Sequence, residues 1–428
     1  MNRTQNWFIY SLCLGLAILL LNLQVVVTPS TPTSTELRGV WLTNVSSAVL
    51  FTPWGVNRAL HQLSQLNFNT VYPVVWNRGQ TFYPSSVAKG VTGRSQDSWL
   101  RVLRLGHDVL AEIVKQGQRS RLRVIPWFEY GFMAPAGSEL AKRHPDWITF
   151  RHDSTKTLRV DSLEQKLKPT KVQPSQEIQQ FVSNRVVSQA VWLNPIHPEV
   201  QQFILNLIVE VVTQYDVAGI QLDDHFGLPV ELGYDPFTVR LYQQEHGGKS
   251  PPTNYKDNEW MRWRADKITD FMQRLFQAIK AVKPDCLVSL SPNSHFFAYN
   301  AYLQDWQTWV QRGLVEELIL QVYRDDLKTF LAELSQPAVQ MARRRIPVGV
   351  GILSGLWSRP VEIKQIQQQV QLVRDRGFAG VSFFYWESLW GYIAPESPQE
   401  RRIAFKTLFP SSATPRKTLS KQGSGVRG

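Results

Sequence analysis

The sequence predicts an α/β fold, a (β/α)8 barrel of the TIM type with long loops after strands 2 and 3. Three observations carry this. From residue 37 onwards, short β-rich apolar runs alternate with amphipathic helical patterns. The runs are almost continuously apolar, which marks strands buried on both faces, as in a parallel sheet wrapped by helices. Finally, eight such units fit a closed barrel better than an open doubly wound sheet, and no GxGxxG follows the first run, which lowers the dinucleotide-binding alternative.

Taken in order, the chain begins with a targeting pattern. Arg3 precedes an apolar run over residues 7–27, followed by a Pro/Ser/Thr stretch over 28–35. A positive end and an apolar core of roughly 20 residues have the shape of a secretory signal or signal-anchor. No clear cleavage site and no lipobox before Cys13 are present, which favours an uncleaved anchor, membrane association through this segment and a domain outside the cytoplasm.

The strand candidates are 37–43, 68–76, 121–129, 218–224, 286–291, 316–323, 346–352 and 379–386. Helical patterns fill 54–66, 107–118, 198–215, 258–282, 301–312, 326–344 and 361–376. In 198–215, Val200, Phe203, Ile204, Leu207, Ile208, Val211 and Val212 recur at helical spacing after Pro198, a residue suited to a first turn. The loops over 77–106 and 131–198 are long enough to be cleft walls, the second with a polar insertion at 153–190. The domain is expected over 36–410, followed by a basic, disordered tail at 411–428.

Composition narrows the function. Net charge is +12, which suits anionic surroundings such as acidic polymers, cell wall or lipid headgroups. Nucleic acid is not expected, since zinc-finger spacing, RNP-type motifs and a basic helical stripe are all missing. Two cysteines, one in the N-terminal run, leave Cys286 as an inert core residue. Fifteen Trp either fill the core of a large barrel or line a carbohydrate site, where flat rings meet the C–H faces of sugars, and position decides between the two.

Barrels take their catalytic groups from the C-terminal ends of different strands. Those ends bear Trp41 and Asn44, then Trp76, then Trp127, Glu129 and Tyr130, then Asp223, Asp224 and His225. Asn293, Gln321, Tyr323, Trp357, Trp386 and Glu387 complete the rim. Stacking aromatics beside amides and carboxylates are what a polyhydroxylated ligand needs, so these residues are expected to bind a glycan. Glycoside hydrolysis requires one carboxyl that keeps its proton and one that stays ionised. Asp223 and Asp224 are the candidates for the ionised member, Asp224 being preferred. Glu129, Glu387 and Asp325 compete as proton donor, the first two because aromatic neighbours raise a carboxyl by desolvation. Asp325 reads equally as the start of a helix, and for Asp326 that reading outweighs a functional one. Asp223-Asp224-His225 also offers metal-ligand types, but barrel metallohydrolases add an HxH on the first strand that Thr43-Asn44 lacks. Neither metal nor cofactor is expected.

The blocks GVWLTNV, WLNPIHPEV, GIQLDDHF, SLSPNSHF, LILQVY and GVSFFYW, in this order, together resemble the glycosyl-hydrolase-like family 10 barrels. The resemblance covers about 36–410. It implies a β/α barrel, export to the bacterial envelope and glycosidase activity, with peptide-free peptidoglycan glycan strands as a substrate class. It maps the family's Asp-Asp block onto Asp223-Asp224 and its Trp-Leu-Asn-Pro block onto residues 192–195, which places Asn194 near the cleft. Two departures stand out: His225 where the family often has an aromatic, and Trp127-Phe128-Glu129-Tyr130 where its third strand often ends Trp-x-Asn-Pro-Tyr. The second leaves the identity of the acid open and points to a different glycan. A non-catalytic glycan-binding protein on a degenerate barrel and a polysaccharide transglycosylase are the competing readings.

Overall fold

The computed structural model describes residues 34–158, 189–356, 359–390 and 394–415. The N-terminal apolar run, Cys13, most of the 153–190 insertion, Trp357 and the tail from 416 lie outside the described residues.

Eight parallel strands close on themselves. They are β1 (Leu37–Leu42), β2 (Thr70–Asn77), β3 in two pieces (Arg123–Val124 and Trp127–Phe128), β4 (Gly219–Asp223), β5 (Leu287–Ser291), β6 (Glu317–Gln321), β7 (Val348–Leu353) and β8 (Gly380–Phe384). Each pairs with the next, and β8 pairs back with β1 through Gly380 to Leu37 and Phe383 to Val40. Pro126 interrupts β3, since proline has no N–H to give the ladder. The expected strands are all present, each within a few residues of its expected bounds.

The helices between and after the strands include α1 (Gly55–Gln65), α2 (Val109–Arg119), α3 (Pro198–Gln214), α4 (Asn258–Val282), α5 (Trp306–Gln311), α6 (Pro337–Arg343), α7 (Ile363–Asp375) and α8 (Pro398–Leu408). The pattern expected over 326–344 is two helices, Leu327–Leu334 and α6, because Pro337 cannot continue a helix and starts a new one at its first turn. Helix α8 was not anticipated; its signal is Ser397-Pro398 followed by Glu400, a capping box that the structure forms.

Two corrections concern the domain's ends. Ser34–Thr35, expected in the tether, and Ala413–Thr414, expected in the disordered tail, pair in parallel across the barrel's base. Arg38 and Asn69 hold this closure by bonding the carbonyls of Ser411 and Ala413. The ordered unit therefore extends past 410.

The barrel interior is unusually polar. Trp41 Nε1 donates to Gln221 Oε1 at 2.7 Å, Gln221 Nε2 to Ser289 Oγ at 3.1 Å, and Ser289 Oγ to Glu317 Oε1 at 3.2 Å. Arg123 Nη2 meets Glu317 Oε2 at 2.6 Å, so the buried carboxylate is charge-paired. Small residues opposite make room for the large rings. A Cβ on Gly39 would lie 2.8 Å from Tyr72, and one on Gly351 would lie 3.2 Å from Trp41. The side chains filling the barrel thus exclude a pore and put any ligand at its mouth.

Candidate active site at the barrel mouth

The end of β4 delivers Asp223, Asp224 and His225 together. The two carboxyls are strongly buried, Asp223 at 3% and Asp224 at 8% exposure, and His225 is partly buried. His225 Nδ1 lies 2.7 Å from Asp224 Oδ1 and 3.4 Å from Asp223 Oδ2. Gln321 Nε2, from the end of β6, donates to Asp223 Oδ1 at 2.9 Å, and Asn293 Nδ2, after β5, donates to Asp224 Oδ2. Gln304 fixes the turn itself, donating to the carbonyls of Asp223 and Phe226. The imidazole is walled by rings, with centroids 4.4 Å from Tyr130, 5.6 Å from Tyr302 and 6.2 Å from Trp192.

These contacts split the pair. Burial pushes Asp223 up, and the neighbouring Asp224 charge pushes it further, so it keeps its proton. Burial also opposes ionisation of Asp224, but the His225 cation and hydrogen bonds from His225, Asp223 and Asn293 outweigh it and hold the carboxyl below its usual value. Burial likewise disfavours the imidazolium, yet the two carboxyls lift His225 to about 10. The resting state near neutrality is one shared proton, one anion and one cation. Asp223, Asp224 and His225 form the one group of metal-ligand types close enough to share an ion among the described residues, with donor atoms within 4.8 Å of one another. Here those atoms are turned on each other.

Glu129 stands beside this pair. The ladder sets Trp127 against Gln221 and Phe128 against Leu222, so the next residue of β3 lies level with Asp223. Asn77 Nδ2, at the end of β2, donates to Glu129 Oε2 at 2.7 Å and to Asn44 Oδ1 at 2.8 Å. Burial pushes the Tyr323 hydroxyl well up, and the nearby carboxyls of Asp223, Asp224 and Glu129 push it further. Two buried polar atoms next to them, Asn77 Oδ1 and Trp127 Nε1, have no partner among the described residues.

Several expected site residues lie elsewhere. Trp76 is fully buried on the outside of the sheet, its ring 5.6 Å from Phe203 of α3, because alternation along the strand turns Asn77 inward and Trp76 outward. Asn194 is also internal: its amide donates to Asp235 and Thr238. Trp41 and Trp127 form the floor of the mouth rather than its wall, at 1% and 3% exposure. Trp386 packs beneath Arg58. Glu387 is tied to the loop after β1 through Ser47 Oγ and Val49 N, and burial raises it to about 7. None of the causes of that shift is a mouth carboxyl. Asp325 pairs with Arg359, and Asp326 caps its helix through Thr329 N at 2.8 Å.

At the mouth the expected glycan-binding rim is a tight polar cluster over a floor of Trp41 and Trp127. The loops after β2 and β3 do enclose a cavity of about 370 Å³, lined among others by Gln80, Arg94, Ser138, Glu139 and Lys142. Sequence reading missed Asn77, Tyr302 and Gln304. For Asn77 the signal was the period-two alternation beside Trp76; for the other two, far along the chain on the β5–α5 connection, there was none.

Comparison with known proteins agrees with this architecture. The model of the family described as glycosyl hydrolase-like 10 matches residues 36–189 and 165–373, and the chain belongs to that family. It is 23% identical over 327 residues to glycosyl hydrolase YngK of Bacillus subtilis, covering 67% of this chain but only about half, 54%, of that protein. It is 23% identical over 374 residues to glycosyl hydrolase DigH of Escherichia coli K12, covering 74% and 73%. Among solved structures, the PgaB (BpsB) glycoside hydrolase domain of Bordetella bronchiseptica superposes with a TM-score of 0.57 at 13% identity, over 85% of this chain and 99% of that one. The β-amylase catalytic domain of Paenibacillus polymyxa gives 0.54 at 10% identity, over 89% and 100%. At such identities these two structures establish the barrel fold alone.

Proposed function

From membership of the glycosyl hydrolase-like 10 family, we propose that this protein is a glycoside hydrolase of the cell envelope, with peptidoglycan glycan strands as its preferred substrate. The observation that carries the reading is the split Asp pair beside a separate carboxyl, Glu129, at one barrel mouth. Hydrolysis needs an anion and a held proton on either side of the scissile bond. Asp224 is the anion, stabilised by His225 and Asn293. Glu129, oriented by Asn77, donates the proton to the leaving oxygen. Asp223 donates its hydrogen bond to Asp224 and orients it. The net positive charge and the exported pattern of residues 1–35 support an envelope substrate outside the cytoplasm.

The direct test is release of reducing ends from purified, peptide-free glycan strands by wild type and Asp224→Asn. Release by wild type and its loss in a folded variant is the expected result. Binding of strands by both, with no release by either, would establish the glycan-binding reading instead; transfer products in place of free ends would mark a transglycosylase.

A further inference from the structure

Nine large apolar side chains are strongly exposed among the described residues, and five of them fall on two neighbouring segments. Trp54 is 65% exposed, and Trp99, Val102, Leu103 and Leu105 are 66%, 61%, 49% and 86% exposed. Arg104 joins the segments: its buried guanidinium bonds the Thr52 carbonyl, two residues before Trp54, and pairs with Glu112 of α2. Trp54 caps the start of α1, and the short helix Ser98–Leu103 immediately precedes α2. Barrel helices start on the side where strands end, so this patch lies on the rim of the mouth, between the first two strand–helix units.

We propose that this rim docks on an anionic lipid surface. Clustered exposed apolar side chains mark an interaction site rather than ordinary surface. Val102, Leu103 and Leu105 offer no hydrogen bonds and no flat face to a sugar. Aliphatic residues beside Trp, flanked by cations, match the boundary between acyl chains and headgroups. The flanking charge has one sign: Arg58 and Arg101 are exposed, and residues 98–107 contain no acid. The nearest acids, Asp97 and Asp108, are engaged as helix caps on Leu100 N and on Leu110 and Ala111 N. Leu100, the buried member of the short helix, anchors it to the domain while its neighbours point outward. Docking would bring the mouth close to a membrane surface. It does not depend on hydrolysis.

The test is hydrogen–deuterium exchange on the full chain, alone, with vesicles of equal parts phosphatidylglycerol and phosphatidylcholine, with phosphatidylcholine vesicles, and with glycan strands. Slowed exchange at amides 99–105 and 52–55 with the anionic vesicles is expected, with weaker or no slowing on the zwitterionic ones. The double variant Leu103→Ser/Leu105→Ser should lose the protection, and Arg101→Glu should weaken it, while the barrel strands exchange as in wild type. All these chains keep the same N-terminal apolar run, so the difference reports the patch. Unchanged exchange at 99–105 with anionic vesicles, protection that survives the double substitution, or protection by glycan strands but not by vesicles would overturn the proposal.

Discussion

Two buried carboxyl sites occupy the ends of β4 and β8, and they differ in what surrounds them. At β4, Asp223 and Asp224 face a cation, two amide donors and a third carboxyl from the adjacent strand. At the end of β8, Glu387 faces a serine hydroxyl and a backbone N–H of the loop after β1. Both sites shift a carboxyl upward, Asp223 by burial and a neighbouring charge, Glu387 by burial alone. Desolvation therefore does not distinguish a carboxyl of the mouth cluster from a loop clasp. A coupled partner of opposite charge and a neighbour across the mouth do.

The largest effect that would break this contrast is on turnover. Asp224→Asn should lower kcat by about 10³-fold or more, because the anion made at the mouth is gone. Glu129→Gln should lower it by about 10²–10³-fold, the range typical of a lost proton donor, with azide accelerating neither variant to wild-type rates. Glu387→Gln should stay within a few-fold of wild type. If instead Glu387→Gln is the inactive one, the assignment of the two sites is reversed.

Stability sharpens the comparison. The folded pKa of Glu387, about 7, lies above its ordinary 4.5. Its contribution is fully present below about 4.5 and is lost as pH rises through about 7. Glu387→Gln should therefore be more stable than wild type at pH 8 by about 1–3 kcal/mol, read by urea unfolding. A wild-type stability flat between pH 4.5 and 7 would remove the clasp.

His225 carries the same sign at higher pH. Its folded pKa of about 10 exceeds the ordinary 6.5, so its stabilisation is complete below 6.5 and disappears as pH rises through about 10. Activity should share this alkaline limb, since loss of the imidazolium leaves Asp224 without its cation. In His225→Gln the limb should move or vanish in the pH–rate profile. The smallest effect expected is for Asn77→Ala, a several-fold fall in kcat with a displaced alkaline limb, because Glu129, the proton donor, loses its orienting amide. An unchanged profile would leave Asn77 a purely structural bond.

Much of this was legible along the chain. Strand alternation and helical periodicity are local properties, so the eight strands and most helices were recoverable, and β4's Asp-Asp end marked the mouth directly. The expected site residues that the structure places away from the mouth include Trp76 and Asn194. Residue type says that Trp76 packs against something flat, but only the strand's facing and the position of α3 decide that it is Phe203 and not a sugar. Glu129 and Glu387 looked equivalent by their aromatic neighbours. They were separated by ladder register and by which loop each carboxyl reaches.

What the amino-acid order determined unaided was the repeat, the closed-barrel class, the family blocks and the Asp pair at a strand end, because each depends on neighbours a few residues apart. Tertiary structure alone decided which Asp ionises, which glutamate stands across from it, and which Trp rings meet solvent. Those outcomes depend on desolvation and on charges brought together from β2, β3, β4, β5 and β6, separations of tens to hundreds of residues that no local pattern encodes.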